Sequence, residues 1–296
     1  MIAYRCFLKN HGYLSSQRNK ELIMRLKSLL VISLFCIQGL FATPNENITK
    51  YLEYLPSSNF GQIGDYTKGE MQIVDNYDSI LQVQDQYYNE FIQRGCSPSE
   101  AEKYSRVGVV AEDRYWIWLR DPLLLPNGKT TAYNRFFPKS GLNGAAGVSV
   151  MGLSKENTIL VNVIFRHATR EWEIELPRGG RGKHETSEEA ALRELLEETG
   201  IKAKSAFKIG SIASDSGILS NTLDIFIVKD FFSTNETNRE DCEAIHNCVF
   251  LSKQQLKQAF VDGSIELTIQ GHKVHVCCRD PFLASALLIA ETKGIF

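Results

Sequence analysis

The chain reads Gly179-Gly180-Arg181-Gly182-Lys183-His184-Glu185, then seven residues, then Arg193-Glu194-Leu195-Leu196-Glu197-Glu198-Thr199-Gly200-Ile201. Thr186 and Glu189 form a capping-box pair, so the spacing predicts a helix starting near Ser187. On that helix Leu192, Leu195, Leu196 and Thr199 share one face, and Glu194, Glu197 and Glu198 lie opposite. The leucines are expected to anchor the helix, and the acids to project together outside the core. Taken alone, three such glutamates also suit a solvated acidic face. Like charges at this spacing destabilise a bare helix, and a hard divalent cation removes the conflict. Mg²⁺ takes oxygen ligands and commonly links carboxylates to substrate phosphates. Gly179, Gly180 and Gly182 permit close backbone approach to an anion or a metal. Acids beside the helix start favour metal-mediated over direct anion binding. The expected chemistry is metal-assisted attack of water on a phosphate.

Working outward, Ile159 to Phe165 is a nearly continuous apolar run, read as a buried strand. Arg166-His167-Ala168-Thr169-Arg170 turns the chain, Trp172 to Leu176 alternates as the next strand, and Pro177-Arg178 breaks it. Beyond the helix, strands are expected near Phe207–Ile212 and Leu223–Val228, joined through Asp215-Ser216-Gly217. A polar surface loop follows from Ser233 to Asp241, then a strand from Ala244 to Leu251. Ser252 and Gln255 are a second capping box, for a helix to about Phe260. Asp262-Gly263 is a turn, and Asp280-Pro281 an N-cap opening a helix to Thr292. The order of elements predicts a mixed α/β class with helices packed on a sheet.

Ahead of this body, residues 43–69 are rich in Asn, Ser, Gly and Tyr, the composition of a linker or loose arm. Met71 to Arg94 has helical periodicity ending at Gly95, and Ser97-Pro98-Ser99-Glu100 opens a short second helix. Val107 to Phe137 reads as strands, turned at Pro126-Asn127-Gly128-Lys129. Trp116 and Trp118 share one strand face and are expected to pack as core. Tyr133 and Arg135 remain ligand candidates, since aromatics in this region could stack on a nucleobase.

Residues 1–27 are basic, with the single acid Glu21, and an apolar run of 14 residues extends from Leu29 to Ala42. A membrane span needs about 20 residues, so the run fits a secretory signal. Translation from Met24 and cleavage after Ala42 would suit it, and a cytosolic chain with an apolar leader is the alternative. The expected layout is a leader at 1–42, a linker and helical extension at 43–104, and a catalytic domain at 105–296 that includes front strands 107–137. With 296 residues, 43% of them hydrophobic, the chain is large enough for a sizeable core. Its formal net charge of −2 offers no basic field for nucleic acid. The cysteines show neither CxxC pairs nor zinc-type spacing, and no disulfide framework is expected.

Gly179, Glu185, then Arg193-Glu194-Leu195-x-Glu197-Glu198-x-Gly200-Ile201 resembles the box of the Nudix hydrolases at every defined position. The resemblance covers roughly residues 105–296. It implies an α/β/α sandwich with a mixed sheet, here preceded by a helical and strand-rich extension. It also implies hydrolysis of a nucleoside diphosphate linked to another moiety, with Mg²⁺ or Mn²⁺. By resemblance Glu194, Glu197 and Glu198 are metal ligands, one of them able to act as general base. Gly179 lends a carbonyl to a metal, and Glu185 and Arg193 orient the acidic helix.

The flanks Phe165-Arg166-His167 and Glu175-Leu176-Pro177-Arg178-Gly179 look like the ADP-ribose pyrophosphatase branch. That likeness implies Arg166 and Arg178 as pyrophosphate contacts, beside the ligand candidate Tyr133. It also implies a front sheet that helps form a homodimer, and a further catalytic acid, Glu243, with Glu240 as second choice. Where that branch often carries a proline, this chain reads Asp215-Ser216-Gly217. ADP-ribose, another nucleotide sugar, a dinucleoside polyphosphate and NADH are therefore all open as substrates. A nucleotide-sensing module that does not cleave is the alternative from another class.

Overall fold

Two apolar runs of opposite sidedness organise the body. Val161 and Val163 leave one face of a strand while Leu160 leaves the other, so that strand is covered on both sides. In the computed structural model, which describes residues 45–57, 59–143, 147–234 and 244–296, this is β6 (Thr158–Arg166). Its sheet runs β13-β6-β7-β15-β14, with β7 at Glu171–Glu175, β13 at Ile245–Ser252, β14 at Ser264–Ile269 and β15 at His272–Cys277. A second sheet runs β10-β11-β5-β8, from Phe207–Ala213, Thr222–Val228, Gly147–Gly152 and Arg178–Gly180. Within it β11 and β5 are parallel and the other pairs antiparallel, so the sheet is mixed.

Helices close both faces. One core joins Met151, Val161, Ile174 and Ile225 to α5 (Lys253–Asp262) and α6 (Pro281–Thr292) through Leu256, Leu283 and Leu287. The other joins Val148, Val150 and Leu160 to α4 (Ser187–Thr199) through Ala190, Ala191 and Leu195. The result is the expected helix–sheet–helix sandwich. All three caps read from the body's sequence are formed. Thr186 with Glu189 and Ser252 with Gln255 close reciprocal boxes, and the Asp280 side chain accepts from Leu283 N. The β14–β15 hairpin is additional to the expected elements. It turns at Gln270 and Gly271, both with positive φ.

The front piece has its own core. Helices α1 (Glu46–Tyr54), α2 (Tyr77–Gln93) and α3 (Pro98–Ser105) accompany a sheet of β1 (Gln72–Ile73), β2 (Gly108–Glu112), β3 (Trp116–Leu124) and β4 (Thr130–Pro138). Ile48, Tyr51, Phe60, Ile80, Ile117, Leu119 and Phe137 fill it, so residues on both sides of position 105 share one core.

Three expectations are corrected here. The stretch read as a loose arm places Ile48, Tyr51 and Phe60 in full burial, because three large apolar side chains outweigh a polar composition. The face of β3 that packs inward carries Ile117 and Leu119, not the tryptophans. Both faces of that strand are apolar, so alternation alone could not say which was inner. Trp116 is exposed, and Trp118 stacks on Phe136 across the strand pair and donates to Asn134. The predicted helix also starts later, at Tyr77, since Asn76 caps it and Gln72–Ile73 joins β3.

The expected leader at 1–42 and the acids Glu240 and Glu243 lie outside the described residues. Among the described residues no helix is long and apolar enough to cross a membrane.

Candidate active site

Strand β8 lies against β5 and brings Gly179 beneath α4, and the box acids meet the backbone there. A Cβ added to Gly179 would fall 2.1 Å from Glu194 Oε1 and 2.4 Å from Oε2. Only glycine lets that carboxylate lie on the strand. Glu198, one turn further along, accepts from Arg178 N at 3.2 Å and from Asn162 Nδ2 at 2.6 Å. Both donors reach the same oxygen, Oε2.

Glu194 and Glu198 are therefore buried between α4 and the strands, where an outward acidic face was expected. The leucine face divides as well. Leu195 is fully buried, whereas Leu192 and Leu196 are only partly covered. Of the acids whose side-chain exposure differs most clearly, Glu197 is 30% exposed and Glu194 11%.

Arg193 ties the loop to the helix. Its Nε donates to Glu185 Oε1 at 2.8 Å, and its Nη2 to Glu185 Oε2 at 3.0 Å and to Gly180 O at 2.8 Å. Its Nη1 reaches Glu194 at 2.7 Å and Glu197 at 2.9 Å. The bonds to Glu185, followed by those to Glu194 and Glu197, hold the guanidinium well above its ordinary pKa. In return, Arg193 first and Gly182 N second hold the Glu185 carboxyl below the usual range. Arg193 and Glu185 thus link the glycine loop to the acidic turn.

Two arginines flank the same place. Arg166, at the end of β6, donates from Nε to both oxygens of Glu175, at 2.8 and 2.9 Å, and pairs with it through Nη2. Arg178 reaches Glu175 Oε2 at 2.7 Å through Nη2 and Asp280 Oδ1 at 2.7 Å through Nη1, and its guanidinium lies 4.8 Å from the Phe282 ring centroid. Burial pushes the Asp280 carboxyl up from its ordinary value although Arg178 pulls it down. Asp280 was legible as a helix cap but not as a partner of Arg178, because 102 residues separate them.

Other candidates fall elsewhere. Tyr133 is exposed on β4, and no hydrogen bond or ring contact joins it to the box among the described residues. Arg135 is drawn into the front core. It pairs with Asp121, donates to Phe60 O at 2.8 Å and covers the Phe60 ring.

Whether these residues suit a metal depends on donor type and placement. Glu194, Glu197, Glu198 and the Gly179 carbonyl are all hard oxygen donors, the set a Mg²⁺-sized ion takes. The cradle at Gly179 holds one carboxylate against backbone, as such a site needs. Among the described residues no three acidic, histidine or cysteine side chains converge on one point. Arg193 stands between Glu194 and Glu197 instead. The donors fit in kind, and Arg193 takes one carboxylate oxygen of Glu194 and one of Glu197.

Residues 144–266 match the NUDIX domain family model. ADP-ribose pyrophosphatase of Bacillus subtilis (strain 168) is 31% identical over 116 residues, which are 39% of this chain and 59% of that protein. ADP-ribose pyrophosphatase of Saccharomyces cerevisiae is 29% identical over 193 residues, 60% of this chain and 80% of that one. Methanol dehydrogenase activator of Bacillus methanolicus is 28% identical over 109 residues, 37% of this chain and 56% of that one. The match thus spans less than two thirds of either Bacillus protein. A solved structure described as an ADP compounds hydrolase aligns with TM-score 0.48 and 20% identity, covering 64% of this chain and 92% of that one. Residues 144–266, with the complete box on α4 and its glycine loop, thus carry a Nudix domain, and the chain is similar to ADP-ribose pyrophosphatases.

Proposed function

We propose that the protein hydrolyses the pyrophosphate bond of a nucleoside diphosphate linked to another moiety, with ADP-ribose or a related nucleotide sugar as first substrate. One observation carries the reading. Two buried box carboxylates lie on the Gly179 strand, while the next residue, Arg178, and its neighbour Arg166 share the carboxylate of Glu175. Acids and guanidinium groups side by side suit a substrate whose phosphates need neutralising at both ends.

Mg²⁺ or Mn²⁺, held by Glu194, Glu197, Glu198 and the Gly179 carbonyl, would supply an activated water and offset phosphate charge. The chain's own groups divide the remaining work. Arg166 and Arg178 bind the pyrophosphate, and Glu175 and Asp280 hold their planes so that little ordering remains on binding. Glu197 is the better placed proton acceptor, because it is more exposed than Glu194. From the sequence, Glu243 is kept as a further candidate for that role. The names of two relatives support ADP-ribose as the first compound to try. Export through residues 24–42 and assembly as a homodimer remain part of the same proposal. N-terminal sequencing from the native host tests the first, and light scattering tests the second.

The deciding experiment is a panel of ADP-ribose, other nucleotide sugars, dinucleoside polyphosphates and NADH, each with Mg²⁺ and with Mn²⁺, with products separated by chromatography. Nucleoside monophosphate and a phosphorylated partner moiety are the expected products. Retention of every compound without cleavage, but with saturable binding, would leave a sensing module in place of an enzyme.

A further inference from the structure

The run from Ile159 to Phe165 contains a single polar residue, Asn162, and its amide is buried at 3% exposure. A buried amide in a strand needs partners, and this one has them in register. Across β13–β6 Asn162 is paired with Cys248, and across β6–β7 with Glu175. Thiol, amide and carboxylate therefore make a polar row over three adjacent strands, on the sheet face that Leu160 also presents to α4. The row has two outputs. Glu175 takes both arginines, and Asn162 Nδ2 donates to Glu198 Oε2 at 2.6 Å.

The amide's direction is set from behind. The Cys248 thiol donates to Asn162 Oδ1 at 3.1 Å, with the Glu198 backbone carbonyl a more distant acceptor at 3.7 Å. With a donor behind the oxygen and a carboxylate ahead of the nitrogen, only one orientation of the amide satisfies both ends. Arg178 N binds the same Glu198 oxygen. A carboxylate held by two donors at one oxygen keeps its plane, and its other oxygen keeps a fixed direction.

We propose that Asn162 is a positioning residue for the metal ligand Glu198, with Cys248 locking its amide. The inference rests on the function proposed above, in which Glu198 holds a divalent ion. A buried asparagine that served only the sheet would meet backbone groups or other strand residues. Asn162 instead spends its donor on the acidic helix, 36 positions away. Groups that orient a metal ligand commonly change metal affinity about 10–100-fold when removed, and a single neutral hydrogen bond is worth about two- to tenfold.

The test is Mn²⁺ titration of the metal-free full-length protein, read by electron paramagnetic resonance of the free ion, with steady-state kinetics alongside. Glu198→Gln, Asn162→Leu, Cys248→Ala and Cys248→Ser are compared with the parent. The expected result is a Mn²⁺ affinity loss of at least about tenfold for Asn162→Leu. Cys248→Ala should lose about two- to tenfold, and Cys248→Ser should recover most of that through its hydroxyl. Turnover should fall while substrate KM stays put, a split that general loosening would not give. If Glu198→Gln loses Mn²⁺ but a folded Asn162→Leu binds it as the parent does, the positioning role is overturned and the proposed function stands. If Glu198→Gln itself binds Mn²⁺ normally, the ligand assignment fails first and this inference with it. Should Asn162→Leu not fold, Cys248→Ala decides, because it removes only a partly buried thiol. Unchanged affinity there overturns the proposal.

Discussion

Two buried carboxylate–arginine clusters, one in the front piece and one beside the box, end differently. In the front piece Asp121 receives Arg135 through two bonds, at 2.7 and 2.8 Å, and the Tyr51 hydroxyl at 2.6 Å. Arg135 also caps Phe60 O and covers an aromatic ring, and its side chain is 18% exposed. Beside the box Glu175 receives Arg166 and Arg178, but Arg166 is 35% exposed and both sit next to the acids of α4. The same pairing closes a core in one place and in the other holds guanidinium groups beside the acidic helix. Residue type does not separate them; what surrounds the arginine does. Arg135, a ligand candidate on sequence, is taken up instead by the front core.

The comparison is broken most forcefully at the acids. Glu194→Gln and Glu198→Gln should each lower kcat more than about a hundredfold, beyond the roughly 10–100-fold cost of disturbing an outer partner. Gly179→Ala should approach the Glu194 value, because its Cβ would occupy the carboxylate's place. Turnover assays with parallel thermal unfolding check all three, and a folded Gly179→Ala with full turnover would remove the cradle from the mechanism.

Next in size is Asp121→Ala, which leaves Arg135 buried without its partner. It should cost about 3–5 kcal/mol of stability, with kcat of the folded fraction unchanged. Denaturant unfolding and active-site-normalised rates separate the two readouts. If kcat falls with stability, the front cluster is not merely structural. Glu175→Gln should do the opposite, raising substrate KM about tenfold through two less firmly held arginines, a loss close to one charged hydrogen bond. A KM unchanged from the parent would show that the arginines are held without Glu175.

Local chemistry explains what could be read in advance. Capping boxes announce helix starts through side chains three residues apart, so α4, α5 and the cap of α6 were visible. The box spacing named Glu194, Glu197 and Glu198 because helix periodicity is fixed. What could not be read depends on partners distant in sequence. Asp280 meets Arg178 only because α6 folds back, and Cys248 meets Asn162 only through the register of β13. Trp116 and Trp118 misled because β3 is apolar on both faces, so burial was decided by which side α1 and Phe60 covered. Asn162 did carry a local signal, as a lone amide inside an apolar run.

The smallest expected effect tests whether Arg193 is anchored by the loop or by the acids. Hydrogen bonds from Arg193 hold the Glu185 carboxyl below its ordinary pKa in the folded protein. A depressed folded pKa means the ionised form is favoured by folding. The contribution is therefore present above the unfolded carboxylate value of about 4.3 and is lost as pH falls through the lower folded value. Glu185→Gln has no such carboxylate, so its stability should lie below the parent's by a constant amount from neutrality to about pH 5, and the gap should close as the medium becomes more acidic. Urea midpoints measured from pH 7 to pH 3 follow this directly. The pair is partly exposed, so the gap should be modest. A gap that persists at the acid end would mean that Glu185 contributes through packing and its bond from Gly182. Arg193 would then be held chiefly by Glu194 and Glu197.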